Sequence, residues 1–188
     1  MKSLIIFASG SGSNAAAIIQ HFKQTNLAQV QLIVCNKPNA GVIDIAQQHQ
    51  IPYIIIDKAA FNEDTFINTL SSYSTDLIVL AGFLWKIPDN IIKAFSNKII
   101  NIHPSLLPKY GGKGMFGKHV HEAVIAGGEQ ESGITIHMVN EHYDEGAHIV
   151  QAHCAINSQD DAQSLAQKIH QLEHYFFPRT IEYILSEQ

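Results

Sequence analysis

Asn101 and His103 stand two residues apart at the end of an apolar run, Ile99-Ile-Asn-Ile102. In extended chain, residues i and i+2 project to the same side, so a carboxamide and an imidazole would share one face. That pairing suits acyl transfer: an asparagine amide can stabilise a developing oxyanion, and a histidine can move a proton near neutral pH. A buried asparagine beside a capping histidine would carry the same residue types. Tyr143-Asp-Glu-Gly146 offers an acidic partner. A carboxylate reaching the histidine would raise its pKa and hold its ring, although Asp-x-Gly also closes ordinary turns. The third pattern is Ser9-Gly-Ser-Gly-Ser-Asn14. Backbone amides opening a helix favour an anion, and glycine lets the chain approach it closely. Ala15 stands where a dinucleotide fingerprint needs its third glycine, and the Gly-Lys-Ser/Thr of a Walker loop is missing, so a single phosphate fits best. A tight turn capped by Ser13 or Asn14 is the alternative.

These segments need a scaffold that brings them together. Leu4 to Ala8, Val30 to Cys35, Tyr53 to Ile56, Asp76 to Ala81 and Ile99 to Ile102 are short apolar runs, the pattern of strands buried on both faces. Helical periodicity separates them at Asn14 to Lys23, Val42 to Gln48, Phe61 to Tyr73 and Pro88 to Phe95. This alternation predicts an α/β domain with a doubly wound, mostly parallel sheet. The rhythm breaks over His103 to Lys118, a long loop with two prolines and four glycines; loops of that length are usually functional or mobile. A helix over His121 to Ala126 follows. Strands over Gly133 to Val139 and Ile149 to Ala155 predict an antiparallel extension. A long helix closes the chain from Asp160 to Leu185, with an interruption expected at Pro178. In an open α/β sheet, ligands bind beyond the carboxyl ends of the parallel strands. That rule gathers the Gly10 loop, the Gly82 to Ile87 turn, the Asn101 to Pro108 loop and the Asn140 to Gly146 turn.

Composition narrows the function classes. The chain of 188 residues suits one domain, 1–188. A net charge of −5 and the lack of a dense basic run disfavour nucleic acid as a partner. No apolar stretch approaches the roughly 20 residues that cross a bilayer, and Leu4 to Ala8 is too short for a signal-peptide core, so a cytoplasmic protein acting on small molecules is expected. Cys35 and Cys154 sit in apolar runs without a Cys-x-x-Cys spacing, which predicts two buried free thiols. The 11 histidines do not follow a metal-ligand pattern, and no metal site is expected. By default most of them belong to packing and surface. The only guanidinium is Arg179, so a phosphate would be held by backbone amides.

Together these segments resemble the folate-dependent formyltransferases over essentially the whole chain, and the glycinamide ribonucleotide branch of that family in particular. The resemblance is carried by Ser9-Gly-Ser-Gly-Ser-Asn14, Val79-Leu-Ala-Gly-Phe83, Asn101-Ile-His-Pro-Ser-Leu-Leu-Pro-Lys-Tyr110, Gly133-Ile-Thr-Ile-His137, Asp144-Glu-Gly146 and Glu173-His174. It implies a Rossmann-like formyltransferase fold and the transfer of a formyl group from 10-formyltetrahydrofolate, as cosubstrate, to the amine of phosphoribosylglycinamide in purine biosynthesis. It implies Asn101, His103 and Asp144 as catalytic residues. The acceptor would be bound by Gly12, Ser13, Asn14, His170 and Glu173, and the folate by Leu84, Trp85, Lys86, Ile87, Asn101, Asn140, Glu141, His142, Tyr143 and Asp144. His137 is expected near the site. A monomer or homodimer fits the family.

Three places depart from the common pattern. Trp85 stands where many members have arginine, the Gly111 to Gly117 loop is longer and richer in glycine, and His170 replaces a lysine of some relatives. Lys113 in that loop and Lys118 just after it are candidates for the folate's glutamate tail. Formyl transfer to another amine, such as a sugar nucleotide, is the second enzymatic reading, and a non-catalytic nucleotide-binding module is the reading from another class.

Overall fold

The structure, a computed structural model, describes residues 1–187. Seven strands form one sheet in the order β3-β2-β1-β4-β5-β6-β7. The parallel part is β1 (Lys2–Ala8), β2 (Ala28–Cys35), β3 (Tyr53–Ile55), β4 (Leu77–Leu80) and β5 (Ile99–His103); β6 (Glu131–Met138) and β7 (His148–Ala155) run antiparallel beside it. The order reverses at β1 and β4, so the ends of these two strands open a crevice between crossovers that leave in opposite directions. The helices are α1 (Ser13–Thr25), α2 (Val42–Gln48), α3 (Lys58–Phe61), α4 (Asp64–Ser71), α5 (Asp89–Ala94), α6 (Lys118–Ala126) and α7 (Ala162–Ser186).

Alternation along the strands feeds two cores. Leu4, Ile6 and Ile100 face the layer of α1, α6 and α7, while Ile5, Phe7 and Ile99 face the layer of α3, α4 and α5. The parallel strands are apolar on both faces because helices cover both. Asn101 and His103 share the parity of Ile99. The strand therefore places both side chains on the second face, beyond the point where its helices stop covering it.

Three expectations need correction. The helix expected over Phe61 to Tyr73 is two helices, broken at Asn62–Glu63. Asp57 caps the first by accepting from the Ala60 amide at 2.9 Å, and Glu63 takes the extended conformation that starts the second. The last helix is not interrupted at Pro178. Proline removes one helical hydrogen bond, but Phe177, Thr180, Ile181 and Leu185 bury the same stripe on both sides of it. In the turn it disturbs, the Tyr175 and Phe176 carbonyls accept from Arg179 Nη1 at 2.8 Å and Thr180 Oγ1 at 2.9 Å. Both cysteines are free, but only Cys35 is buried; Cys154 is half-buried because β7 is an edge strand. Among the described residues, no helix is long and apolar enough to cross a membrane.

Candidate active site

A cavity of about 550 Å³ opens at the carboxyl ends of β1, β4 and β5, within the size range of small-molecule sites. Gly12, Ser13, Asn14, Leu84 to Ile87, Asn101, His103, Asn140, His142, Tyr143, Asp144, His170 and Glu173 all line it. Glu141 does not; it is exposed on the outside of its turn. Of the two lysines proposed for the glutamate tail, Lys113 lines the cavity, whereas Lys118 pairs with Glu122 on the surface at 3.2 Å.

One end is main chain. Gly12 has φ 82°, and a Cβ there would sit 2.7 Å from Val42 Cα, so the position admits only glycine. It is the N-cap of α1 and offers no side-chain cap. The first amides of α1 are thus left for a ligand, and the positive end of the helix favours an anion. Capping by Ser13 or Asn14 does not occur. Asn14 instead donates from Nδ2 to Glu173 Oε2 at 2.9 Å, leaving its Oδ1 buried without a partner. Burial raises the Glu173 carboxyl above its ordinary range, with Asn14 and His170 opposing. Arg179 stacks on Tyr175 on the outer face of α7 and takes no part in the cavity.

The other end is side chains. Asn101 faces His137 across the antiparallel pair of β5 and β6. His137 Nδ1 lies 2.8 Å from the Met138 carbonyl and must donate to it. In the neutral ring Nε2 is then the acceptor, and it takes one hydrogen of Asn101 Nδ2 at 3.1 Å. The second amide hydrogen of Asn101 remains for the cavity. His103, 4% exposed, donates from Nε2 to the Tyr110 carbonyl at 2.8 Å. Its Nδ1 faces Asp144 Oδ2 at 3.5 Å, so Nδ1 is the nitrogen left for chemistry.

Both residues that hold this ring, Tyr110 and Asp144, have a left-handed backbone, φ 56° and 57°. Such conformations are costly for residues with a side chain and mark sites where the surroundings dictate geometry. Gly146 keeps the Asp144 turn against β6, since a Cβ there would run into the Met138 carbonyl. Gly112, in the glycine-rich loop, donates its amide to Asp144 Oδ2 at 2.8 Å. Thr135 secures the other loop by donating to the Ser105 carbonyl at 2.7 Å and accepting from the Leu107 amide at 3.0 Å.

The expected rise in the His103 pKa does not occur. Burial pulls the imidazole below its ordinary range; Asp144 and the Tyr110 carbonyl push upward without overcoming it. For Asp144, burial pushes upward, but His137, His103 and the Gly112 amide together hold it below the usual carboxylate range. The resting pair is therefore a neutral imidazole beside a carboxylate.

Ser9 accepts from the Leu84 amide through Oγ at 3.0 Å, so that amide is already spent. Trp85 packs edge-on against Phe83 and near Phe61, with Lys58 5.7 Å from its ring centre. His170 lines the cavity and stacks on His174 at 6.2 Å. Sequence reasoning left His121 to packing, yet it is 4% exposed and lines the cavity, as does Phe116. The signal lay in its helical spacing: Val120, His121 and Val124 form the buried stripe of α6, and a histidine within such a stripe marks a polar contact to be found. Among the described residues, no group of three or more His, Cys, Asp or Glu side chains is placed to hold a metal ion.

Fold and site together define an open α/β domain with a cavity at the switch point of the sheet, where an uncapped helix end faces a polar Asn–His–Asp group. The sequence profile of the formyl transferase family matches residues 2–181, and the chain belongs to that family. A phosphoribosylglycinamide formyltransferase of Bacillus subtilis is 39% identical over 98% of this chain and 95% of its own length. The chloroplastic enzyme of Vigna unguiculata is also 39% identical; the chain is covered in full and spans 62% of that relative. The crystal structure of glycinamide ribonucleotide transformylase 1 from Geobacillus kaustophilus is 36% identical and superposes with a TM-score of 0.89, covering 98% of this chain and 99% of its own.

Proposed function

We propose that the chain transfers a formyl group from 10-formyltetrahydrofolate to the primary amine of phosphoribosylglycinamide. The observation that carries this reading is the arrangement of one cavity: unfilled helix-end amides at Gly12 to Asn14 on one side, and Asn101, His103 and Asp144 converging on the other. The activity by which the similar proteins of Bacillus subtilis and Vigna unguiculata are named supports the same substrate.

In this reading the acceptor's phosphate rests on the α1 amides and its neutral amine reaches the formyl carbon. A new C–N bond forms as the carbonyl oxygen gains negative charge. The free hydrogen of Asn101 Nδ2 meets that oxygen, and a preorganised donor stabilises it more than the starting carbonyl. Neutral His103 accepts at Nδ1 the proton lost by the attacking nitrogen; Asp144, 3.5 Å away, stabilises the imidazolium, whose Nδ1–H becomes a second donor to the oxyanion. The same proton then passes from His103 to the departing nitrogen of the donor, whose bond to the formyl carbon breaks as the carbonyl re-forms and His103 returns to its neutral state. The amine is the nucleophile, so no acyl-enzyme is needed.

The test is an absorbance assay of formyl-donor consumption with and without phosphoribosylglycinamide. Amine-dependent turnover is expected. Turnover with a sugar-nucleotide amine alone would transfer the reading to a different acceptor, and no turnover with either would overturn it.

A further inference from the structure

His121 lines the same cavity from the buried face of α6, near enough to both His170 and His103 to feel their charge. Its surroundings bear on how its ring is used. Nδ1 is sealed from solvent without a hydrogen-bond partner. A buried N–H left without an acceptor is rarer in native proteins than an unused acceptor, so the proton belongs on Nε2. The ring is also the most strongly perturbed histidine here: burial, and then the nearby His170 and His103, push its pKa down to about 4. A histidine held neutral at working pH is not a proton shuttle; it is a fixed donor on one edge and a fixed acceptor on the other. Asn14 Oδ1 is a second buried polar atom without a partner at the same cavity. Nε2, the ring nitrogen that is not sealed off, has no hydrogen-bond partner among the described residues and is the one free to donate to a polar occupant of the cavity.

We infer that His121 is an acceptor-positioning residue, whose Nε2–H donates to a carbonyl or hydroxyl oxygen of the amine substrate between its phosphate and its reacting nitrogen. The assignment deepens the proposed function and rests on it. Glu173 and Asn14 grip each other at 2.9 Å and would hold the hydroxyl-bearing part of the same substrate. His121, arriving from α6, would then tie the acceptor to the helix that follows the glycine-rich loop.

The experiment compares H121F, H121Q and H121N. Phenylalanine keeps the ring volume and removes both nitrogens; glutamine places an amide donor near the Nε2 position, and asparagine near Nδ1. The KM for phosphoribosylglycinamide is expected to rise about tenfold or more in H121F, with the formyl-donor KM within about twofold. H121Q should recover part of that loss, and H121N none. An unchanged acceptor KM in H121F, equal losses toward both substrates, or rescue by H121N rather than H121Q would each overturn the assignment. Nitrogen NMR of the histidine rings in the unmutated protein gives a reading that does not depend on variant folding. The Nε2 resonance of His121 should be the protonated one and should move on adding phosphoribosylglycinamide, while Nδ1 keeps its acceptor shift; a protonated Nδ1, or no response, overturns the proposal. Absence of amine-dependent turnover in the unmutated enzyme would sink the function as well, whereas turnover with an indifferent His121 sinks this inference alone.

Discussion

The end of the cavity proposed to hold an anion is built from main chain, and the end proposed to react from side chains. At the first, Gly12 and the uncapped start of α1 present amides whose positions follow from helix geometry alone. At the second, Asn101 and His103 have to be aimed. Each is held by an outside partner: His137 for Asn101, the Tyr110 carbonyl and Asp144 for His103. The two ends also draw on different parts of the sheet. The turn after parallel β1 builds the first, whereas the second combines parallel β5 with His137 of antiparallel β6 and Asp144 of the turn after it. The difference teaches that a set of free amides can be made with six residues of one turn, while aiming the Asn101 and His103 side chains also takes His137, Tyr110 and Asp144.

Substitutions should separate the two ends. Asn101→Ala removes the proposed oxyanion donor and should lower kcat by roughly 10²–10³-fold with little change in either KM; a loss confined to KM would make Asn101 a binding residue. The acid limb of stability comes next. Below pH 6.5 the unfolded chain takes up a proton on His121 that the folded chain refuses until about pH 4. Lowering the pH through that window therefore favours unfolding, by about 3 kcal/mol from this residue. Denaturant titrations at pH 7 and pH 4 should show that excess loss relative to H121F, and parallel losses in both proteins would refute it. Asp144→Asn keeps the shape and removes the charge, so turnover should fall about 10²-fold while the formyl-donor KM stays within about twofold. Equal losses in both would assign Asp144 to binding.

At the main-chain end, Gly12→Asp brings a negative charge and a Cβ to a position with no room for either. The acceptor KM should rise at least about tenfold with the donor KM spared; an acceptor KM that does not change would refute phosphate binding at α1. The smallest effect belongs to Ser9→Ala, which strips the Leu84 amide of its partner and should cost about 1 kcal/mol of stability, read as a shift in the denaturation midpoint.

Much of this was legible in the residues. Apolar runs separated by helical periods specify a doubly wound sheet, because strands covered on both faces need apolar residues on both. The i, i+2 spacing of Asn101 and His103 puts them on one face once β5 is a strand, and the Ser9 to Asn14 turn announces a helix start that admits an anion. The break at Asn62–Glu63 and the continuity of α7 through Pro178 were not legible. In the first, capping competes with propensity over a few residues; in the second, burial of a long stripe outweighs one lost hydrogen bond.

The sequence by itself determined the strand and helix order, the face shared by Asn101 and His103, and the need for glycine where α1 begins. Those follow from local periodicity and backbone sterics, which act over a few residues. Only the tertiary structure decided which nitrogen of His103 is free, that its pKa falls rather than rises, and that His121 belongs to the cavity. Each of these depends on what surrounds a buried ring: the Tyr110 carbonyl fixes the proton on His103, burial outweighs the carboxylate of Asp144, and the packing of α6 on α7 carries His121 inward. Desolvation and hydrogen-bond partnership are sums over neighbours distant in sequence, and they exist only once the chain has folded.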